Sequence, residues 1–406
     1  MLLYTGADPR TNVQRAPAVP VGEILDAVDA MCHTSGGRPA REQVVVRHPL
    51  QPFDARNFTA DALGTPRPFS FDRHALRGAQ RALLPREEPD PFLVRPLPSA
   101  GAGDVALDDL IRFVEHPTRA FLRQRLALTL LREEQELDDA ICVELNDLEQ
   151  WEIGDRLLRL RLDGVPAEAA RGAERRRGTV PPEELGKRLL DDLLPKVEAV
   201  AAAALPFVAG EARTVDVDAV LAGRHVTGTI SGVRGNTVVR ATYSTRSAKH
   251  RLRAWVQLLA CTVTHPQTQW QAVVIGKKGL RSVLGPLAAP TAEAALRDLL
   301  DLYDRGMREP LPLVPKTSAV YATARAGVMT ADNAYRKAEQ EWKGNRYPGE
   351  CSDDAHELVW GEAAEFAVLL DQPPDSDERW FGGEELMRFG ALSRRLWAPL
   401  LAVETS

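Results

Sequence analysis

The sequence predicts an α/β protein in which helices flank a mixed central sheet. Apolar and polar residues alternate over 225–230 and 237–243, and a glycine-containing turn over 231–236 separates them, which indicates a β-hairpin. Apolar residues then recur at helical spacing through 248–264. A third strand-like run follows at 269–275. The predicted order of the core is therefore strand, turn, strand, helix, strand.

Length and composition indicate a globular protein of ordinary make-up. The chain has 406 residues, which is long enough for two domains. Its net charge is −6, and it contains 44% hydrophobic and 27% charged residues, as is usual for a globular protein. The longest nearly apolar run, residues 199–209, is about half a membrane span and contains Pro206. The N-terminus has no secretory pattern, and the four cysteines form no CxxC motif. We therefore expect a cytoplasmic protein without a membrane segment.

Three regions follow one another along the chain. Residues 1–35 hold a short apolar strand at 2–4 and a helix at 21–31, which indicates the tail of a domain whose main body lies elsewhere. Residues 36–104 are rich in Pro, Gly and Arg and predict an extended connector, with disorder as the alternative. The aromatic residues predicted to anchor this connector are Phe53, Phe58, Phe69 and Phe71. Residues 105–406 form the main domain.

The main domain begins with helices. One helix starts at Leu107, and a second is predicted over 118–131. A compact basic loop follows, and two prolines then introduce a helix over 183–204. The loop carries the consecutive arginines Arg175, Arg176 and Arg177. A solvated loop and a phosphate-binding loop are equally compatible with this pattern.

The charge pattern of the core is uneven. From Ala219 to Ala292, 74 residues contain no Asp or Glu but ten Lys and Arg. Such a basic block within an acidic chain is typical of a polyanion-binding surface, most often for nucleic acid. The first candidates for phosphate contacts lie at the start of the core helix and are Arg246, Lys249, Arg251 and Arg253. A solvated helix face is the alternative, and the region after Glu293 is acidic, with 21 Asp and Glu against 13 Lys and Arg.

The hairpin, long helix and following strand resemble the core of the PD-(D/E)XK nucleases, in particular the RecB-like branch. In that branch an acid ends the first strand and an Asp-Tyr-Lys triplet lies on the second, and the acids hold magnesium. Here Ser231 occupies the first position, and Thr242 and Ser244 flank Tyr243 at the second. Hydroxyl groups do not replace the charge of two carboxylates around a hard divalent cation. The sequence therefore predicts a degenerate nuclease fold without catalytic residues.

Other candidate sites are weaker. Four side chains that could ligate a metal lie close together in the sequence: Asp353, Asp354, His356 and Glu357. A charged helix start on a solvated surface is the favoured interpretation, so we expect no metal. Trp255 and Trp270 could stack on bases, although their positions favour core packing. RecB-like domains often carry Cys-Pro where this chain has His116-Pro117, so no iron–sulfur cluster is expected.

Several long blocks resemble RecC, the gamma subunit of exodeoxyribonuclease V. They are VVVRHPLQPFDARNF, PFSFD, LDDLIRFVEHPTRAFLRQRL, RRRGTVPPEELG, TYSTRSAKHRLRAWVQLLA and REPLPLVPKTSAVYA, in that order. The resemblance covers residues 2–401 and the C-terminal part of the family only, and its style suggests an actinobacterial member. It implies that residues 1–35 are the remnant of a helicase-like domain.

The resemblance also implies a function. RecC is the non-catalytic partner of a RecB helicase–nuclease and a RecD helicase in repair of double-strand breaks by homologous recombination. It helps to split the duplex, guides single strands and holds RecB and RecD, and its DNA partners are double- and single-stranded. Magnesium and ATP act in the partner subunits, so this chain needs no cofactor. Two alternatives remain. One is an active exonuclease that draws acids from the flanking regions. The other is a protein-docking domain whose basic block binds an acidic partner or the chain's own acidic C-terminal region.

Overall fold

The computed structural model of the chain describes residues 2–8, 13–85, 91–99, 101, 103–130, 145–221, 223–245, 247–327, 329–378 and 385–405. The chain divides into two compact units, Met1–Pro89 and Asp90–Ser406. This border falls within the predicted connector of residues 36–104, whereas the sequence places borders at 35 and 104. Within the described ranges, no helix is long and apolar enough to cross a membrane.

The first unit contains short helices. They are α1 Val19–Met31, α2 Arg41–Val44, a 3₁₀ turn Ala55–Phe58 and α3 Arg73–Ala82. The predicted helix at 21–31 is confirmed, but the predicted strand at 2–4 is wrong, because those residues pair with no strand in the described part of the unit. The predicted connector is partly helical rather than extended. Asp54 and Asp72 accept hydrogen bonds from backbone N–H groups of the turns that follow them. This capping stabilises the start of helices that the Pro-, Gly- and Arg-rich composition does not predict.

Buried polar contacts organise the first unit more than its aromatic residues do. The side-chain amide of Asn57 donates to the carbonyls of Gln51 and Pro52, and the Asn57 carbonyl accepts from Phe69 and Ser70. The predicted anchors are mostly exposed: 45% for Phe53, 57% for Phe69 and 84% for Phe71. These three rings are therefore not buried within the described part of the first unit, and their role as anchors stays a prediction.

The second unit consists of eleven α-helices and seven strands within its described residues. Its helices are α4 Leu107–Glu115, α5 Pro117–Ala120, α6 Asp147–Leu162, α7 Ala167–Arg177, α8 Glu183–Val208, α9 Ala248–Thr264, α10 Ala289–Gly306, α11 Pro315–Ala326, α12 Ala331–Lys343, α13 Asp354–Trp360 and α14 Arg388–Val403. Its strands are β1 Val105–Ala106, β2 Ala212–Leu221, β3 Arg224–Arg234, β4 Thr237–Ala241, β5 Gln271–Ile275, β6 Arg281–Leu284 and β7 Glu404–Thr405. The core helix α9 has the predicted bounds. The helix predicted over 118–131 is confirmed at its start, where α5 continues into a π-helical turn at Phe121–Arg125, whereas residues 126–130 are not helical and residue 131 lies outside the described residues.

The seven strands form one mixed sheet, as predicted. β2, β3 and β4 pair in antiparallel order, β5 pairs parallel with β4, and β6 and β7 continue antiparallel. The short β1 pairs parallel with β3. β2 was absent from the sequence prediction, although Val215, Val217 and Ala219 alternate with polar residues and are buried in the strand.

The predicted turn over 231–236 is shorter than expected. β3 continues through Ser231 to Arg234, and only Gly235 and Asn236 form the turn. Gly232 has φ of 74°, and the pairing with β2 shifts register beside it. A bulge of this kind keeps a glycine-containing segment within a strand and returns Val233 to the buried side.

Hydrophobic cores lie on both faces of the sheet. One contains residues of α4, α9, α10 and α14, and it includes Trp255 and Trp270, so both rings pack in the core as the sequence favoured. The other contains residues of α6 and α8 and includes Tyr243, the middle residue of the degenerate triplet 242–244. Because α9 packs in the first of these cores, its polar N-terminal turns are held in a fixed position beside β4.

Candidate nucleic-acid interface

Three arginines of the basic block, residues 219–292, pair with carboxylates that lie outside the block. Arg224 binds Asp304 at 2.6 Å, 80 positions along the chain. Arg251 binds Glu404, and Arg253 binds Glu115. The missing local acids are thus supplied by distant segments of the second unit, including the acidic C-terminal region.

Arg251 is deeply embedded in this arrangement. Its Nε donates to Glu404 at 2.7 Å, and its guanidinium lies 5.0 Å from the centre of the Trp397 ring. Glu404 also accepts a hydrogen bond from Ser282. The side chain of Arg251 is 10% exposed, so the pair joins α9 to β7 and Arg251 meets little solvent.

Arg253 has a similar pairing. Its Nε and one terminal nitrogen each lie 2.8 Å from a Glu115 oxygen, which makes the pair bidentate. The hydrogen bond to Glu115 raises the pKa of Arg253, and burial opposes this rise. The pair fixes α9 against the end of α4. Arg246, the first of the predicted phosphate contacts, lies outside the described residues.

Two cations of the block, Arg240 and Lys249, form no ion pair with a carboxylate among the described residues. Arg240 is half-buried on β4, and its Nε donates to His250 Nδ1 at 3.2 Å. Lys249 is exposed in the first turn of α9. Burial, and then the charges of Arg240 and Lys249, lower the pKa of His250 to about 4. Burial and the nearby Arg253 lower the pKa of Arg240.

Arg175, Arg176 and Arg177 are all exposed, as a phosphate contact requires. The predicted loop is wrong, because these residues form the last turn of α7, which ends at Gly178 in the left-handed conformation with φ of 77°. Cations at a helix C-terminus interact favourably with its dipole. None of the three forms an ion pair within the described part of the chain.

The degenerate nuclease positions have different environments. Ser231 is exposed beside the β3 bulge, whereas Thr242 is buried and its N–H donates to the carbonyl of Ile275. The carbonyl of Ser244 accepts from the N–H of Lys277 at 2.6 Å. One carboxylate from a flanking helix approaches the triplet: Asp155 Oδ1 lies 3.5 Å from the N–H of Tyr243.

That carboxylate is already engaged and stands alone. Oδ2 of Asp155 accepts from Arg159 at 2.5 Å. The ammonium group of Lys277 lies 4.4 Å from the centre of the Tyr243 ring. A two-acid magnesium site needs a second carboxylate, and the described contacts of the triplet contain none.

The structure brings His116 to two of the predicted metal ligands. One potential ligand atom from each of His116, Asp353 and His356 lies within 4.8 Å of the others. Oδ1 of Asp353 is 3.1 Å from His116 Nε2, and Oδ2 accepts from Arg119 at 2.8 Å. The sequence did not suggest this group, because His116 and Asp353 are 237 positions apart.

Hydrogen bonds define the state of this cluster. His116 Nδ1 accepts from the N–H of Arg119, which places the proton of a neutral ring on Nε2, where it donates to Asp353 instead of coordinating a cation. Burial, and then His116, lower the pKa of His356 to about 4. Burial raises the pKa of Asp353, but the hydrogen bond from His116 and nearby positive charge outweigh this and hold it well below its usual range. The cluster joins α5 to the start of α13.

The fold and its charges define a class of protein: a mixed-sheet α/β domain with a cation-rich core helix. Residues 102–326 match the family described as the RecC C-terminal domain, and the chain belongs to that family. The resemblance inferred from the sequence blocks is thereby confirmed.

Curated relatives agree with the family. The RecBCD enzyme subunit RecC of Mycobacterium tuberculosis is 41% identical over 411 residues, covering all of this chain, and that of Mycolicibacterium smegmatis is 40% identical over 408 residues. The Escherichia coli subunit is 24% identical over 377 residues, or 88% of this chain. The chain spans 36% of the length of each mycobacterial relative and 32% of the E. coli protein.

Proposed function

We propose that the chain supplies the C-terminal part of a RecC-type scaffold and DNA-guiding subunit. It acts without catalytic residues of its own, beside RecB-like and RecD-like subunits that use magnesium and ATP. Family membership and full-length similarity to proteins named RecBCD enzyme subunit RecC support this proposal. The expected setting is recombinational repair in the cytoplasm, on the nucleoid.

The observation that carries the proposal is a nuclease-like frame with hydroxyls at its catalytic positions. Helix α8 precedes the antiparallel strands β2, β3 and β4, and α9 then leads to β5, which is parallel to β4. This order agrees with a degenerate PD-(D/E)XK fold. Ser231, Thr242 and Ser244 stand where that fold needs two acids and a lysine, so the domain holds DNA without cutting it.

DNA contact in this proposal depends on cations without a carboxylate partner. Lys249 and the arginines of the α7 terminus are exposed and suit sequence-independent phosphate contacts. Arg246 keeps its place as a candidate from the sequence. Arg251 and Arg253 reach a phosphate only if Glu404 and Glu115 give way, so their larger contribution is to position α9.

The first unit fits the same proposal. Residues 1–35 would complete a helicase-like domain, residues 36–104 would connect it to the nuclease-like domain, and residues 105–406 would be that domain. All residues of α1 are at least partly exposed, which suits a helix that packs on further protein. The compact second unit, which begins at Asp90, would act as the rigid body that holds DNA and partners.

Co-purification tests the scaffold role. The tagged chain is expressed together with the RecB-like and RecD-like subunits of the same organism, and recovery of both on the tag is the expected result. Recovery of neither would contradict the scaffold role. Recovery of the RecD-like subunit without DNA binding by the assembly would favour the protein-docking alternative.

A nuclease assay tests the catalytic alternative. The purified chain is incubated with linear duplex DNA and magnesium, and intact DNA is expected. Degradation that disappears in Asp155→Asn but persists in Asp371→Asn, a carboxylate from a different part of the unit, would favour an atypical nuclease instead. Asp155 is the carboxylate that lies closest to the triplet among the described contacts.

A further inference from the structure

Several polar side chains lie on β4 and at the start of α9, and the positive charges among them are not neutralised by a carboxylate in the described structure. We call this group the Arg240 cluster, and its members are Arg240, Ser247, Lys249 and His250. It lies within the basic block, and among the described residues no carboxylate forms an ion pair with Arg240 or Lys249. Arg240 belongs to β4, Ser247 is the N-cap residue of α9, and Lys249 and His250 lie in the first turn of α9.

The hydrogen bond between Arg240 and His250 fixes the protonation pattern of the cluster. A guanidinium only donates, so His250 Nδ1 accepts and the proton of the neutral ring lies on Nε2. His250 is 7% exposed, and Arg240 is half-buried. The terminal nitrogens of Arg240 donate to no acceptor in the described structure.

Ser247 adds an unsatisfied hydroxyl. It precedes α9 at the N-cap position, but its side chain makes no capping hydrogen bond. Its Oγ is enclosed and has no partner. A buried hydroxyl without a hydrogen bond is destabilising, so this turn of α9 lacks a cap of its own.

The charges around Arg240 do not balance locally. Burial and the charge of Arg253 both lower its pKa, which means that its charged form is disfavoured where it lies. Glu115 is nearby, but both of its oxygens bind Arg253. Asp155 interacts with Arg240 only through space and is held by Arg159. A half-buried cation in such surroundings is stabilised by an external anion.

We propose that the Arg240 cluster binds one phosphate group of a DNA backbone, with the terminal N–H groups of Arg240 and the ammonium group of Lys249 as its donors and His250 Nδ1 positioning the guanidinium. This inference rests on the proposed DNA-guiding function. Arg240 lies on β4 and precedes Thr242, the first residue of the degenerate triplet, by two positions, so the phosphate would lie near that triplet. In a PD-(D/E)XK nuclease, carboxylates bind the phosphate at this part of the fold through a metal ion. In this chain the cationic side chains of the Arg240 cluster would bind it directly.

DNA affinity of the full chain tests the proposal. Fluorescence anisotropy with a labelled duplex and a labelled single strand compares the wild type with Arg240→Gln, whose amide can still donate to His250. Loss of a charge-assisted contact is expected to weaken binding about tenfold and to lower the salt slope for duplex by about 0.9. Arg336→Gln removes the same charge from an exposed site on α12 and is expected to change affinity less than about twofold. Arg240→Lys, which keeps the charge, is expected to recover part of the affinity.

Inorganic phosphate distinguishes the sources of the anion. The pKa of His250 is followed by NMR of its ring with and without phosphate at constant ionic strength. The charges facing this ring belong to Arg240, Lys249, Arg253 and Glu115, so a bound anion should raise its pKa in the wild type and not in Arg240→Gln. A melting curve that matches the wild type establishes that the variant is folded.

Each outcome is decisive. Weaker DNA binding in Arg240→Gln together with the phosphate-dependent shift supports the proposal. DNA binding that Arg240→Gln leaves unchanged overturns it, although the DNA-guiding function would stand. A phosphate-dependent shift in a chain that binds no DNA overturns the DNA source and the DNA-guiding function together, and it assigns the cluster to free phosphate.

Discussion

Arginines in the basic block and in the acidic region after residue 293 find their carboxylates in different places. In the acidic region the partners are close in sequence or belong to the same region: Arg388 pairs with Glu378, and Arg395 pairs with Asp298. The basic block has no acids, so Arg251 and Arg253 reach segments 153 and 138 positions away. Arg240 has no ion-pair partner in the described structure.

This difference separates structural charge from charge available for binding. The number of cations in the block suggests a uniform polyanion-binding surface. The structure instead separates the paired Arg224, Arg251 and Arg253 from Arg240 and Lys249, which form no ion pair among the described residues. Predictions about stability therefore concern the paired groups, and predictions about DNA concern the unpaired ones. The following variants test this division.

The largest effect is expected at the buried pair of the acidic region. Glu378 is fully buried, and both of its oxygens accept from Arg388. Glu378→Gln leaves a buried cation partly uncompensated, so we expect a loss of about 4 kcal/mol in the free energy of unfolding. Denaturant unfolding measures it. The matched change Glu293→Gln in the exposed pair with Arg297 should cost less than about 1 kcal/mol, and equal losses would contradict the distinction.

The two buried histidines, one in each region, predict a loss of stability in mild acid. The pKa values of His250 and His356 are lowered to about 4 in the folded chain from an ordinary 6.5. The unfolded chain therefore binds more protons between these values, and stability falls as pH drops from about 6.5 to about 4.

Each histidine contributes up to about 3 kcal/mol of this loss. Unfolding free energies between pH 7 and 4.5 should show a flatter slope in His356→Asn than in the wild type. His250→Gln should flatten the slope independently. A slope that neither variant alters would show that other groups carry the proton uptake.

An intermediate effect is expected at Arg251 and Glu404, which join the two regions. Arg251→Gln and Glu404→Gln should each destabilise the fold, and a double-mutant cycle should give a coupling energy of about 2 kcal/mol. The physical reason is that each single change leaves a nearly buried partner unpaired. Strictly additive losses would mean that Trp397 packing, rather than the ion pair, holds the guanidinium.

The smallest effect on stability is expected at the end of α7. Replacement of Arg175, Arg176 and Arg177 by Gln removes exposed charges without ion pairs, so the free energy of unfolding should change by less than about 1 kcal/mol. The salt dependence of DNA binding should nevertheless fall, because phosphate contacts release counterions. A large loss of stability with unchanged DNA binding would reverse the assignment.

Much of the local structure could be predicted. The bounds of α9 follow from helical periodicity, and the mixed sheet follows from the hairpin before it. The bulge at Gly232 was missed because a glycine within a strand and a glycine in a turn look alike in sequence. The basic, glycine-flanked stretch at 175–177 predicts a loop, whereas the structure extends α7 to Arg177 and ends it at Gly178.

The sequence by itself determined the absence of acids from 219 to 292, the hydroxyls at Ser231, Thr242 and Ser244, and the family blocks. These are properties of residue identity and need no coordinates. Only the tertiary structure decided which cations are neutralised, and it alone brought His116 to Asp353. Ion pairing depends on distances of a few ångströms across the fold, and positions more than a hundred residues apart acquire such distances only when the chain packs.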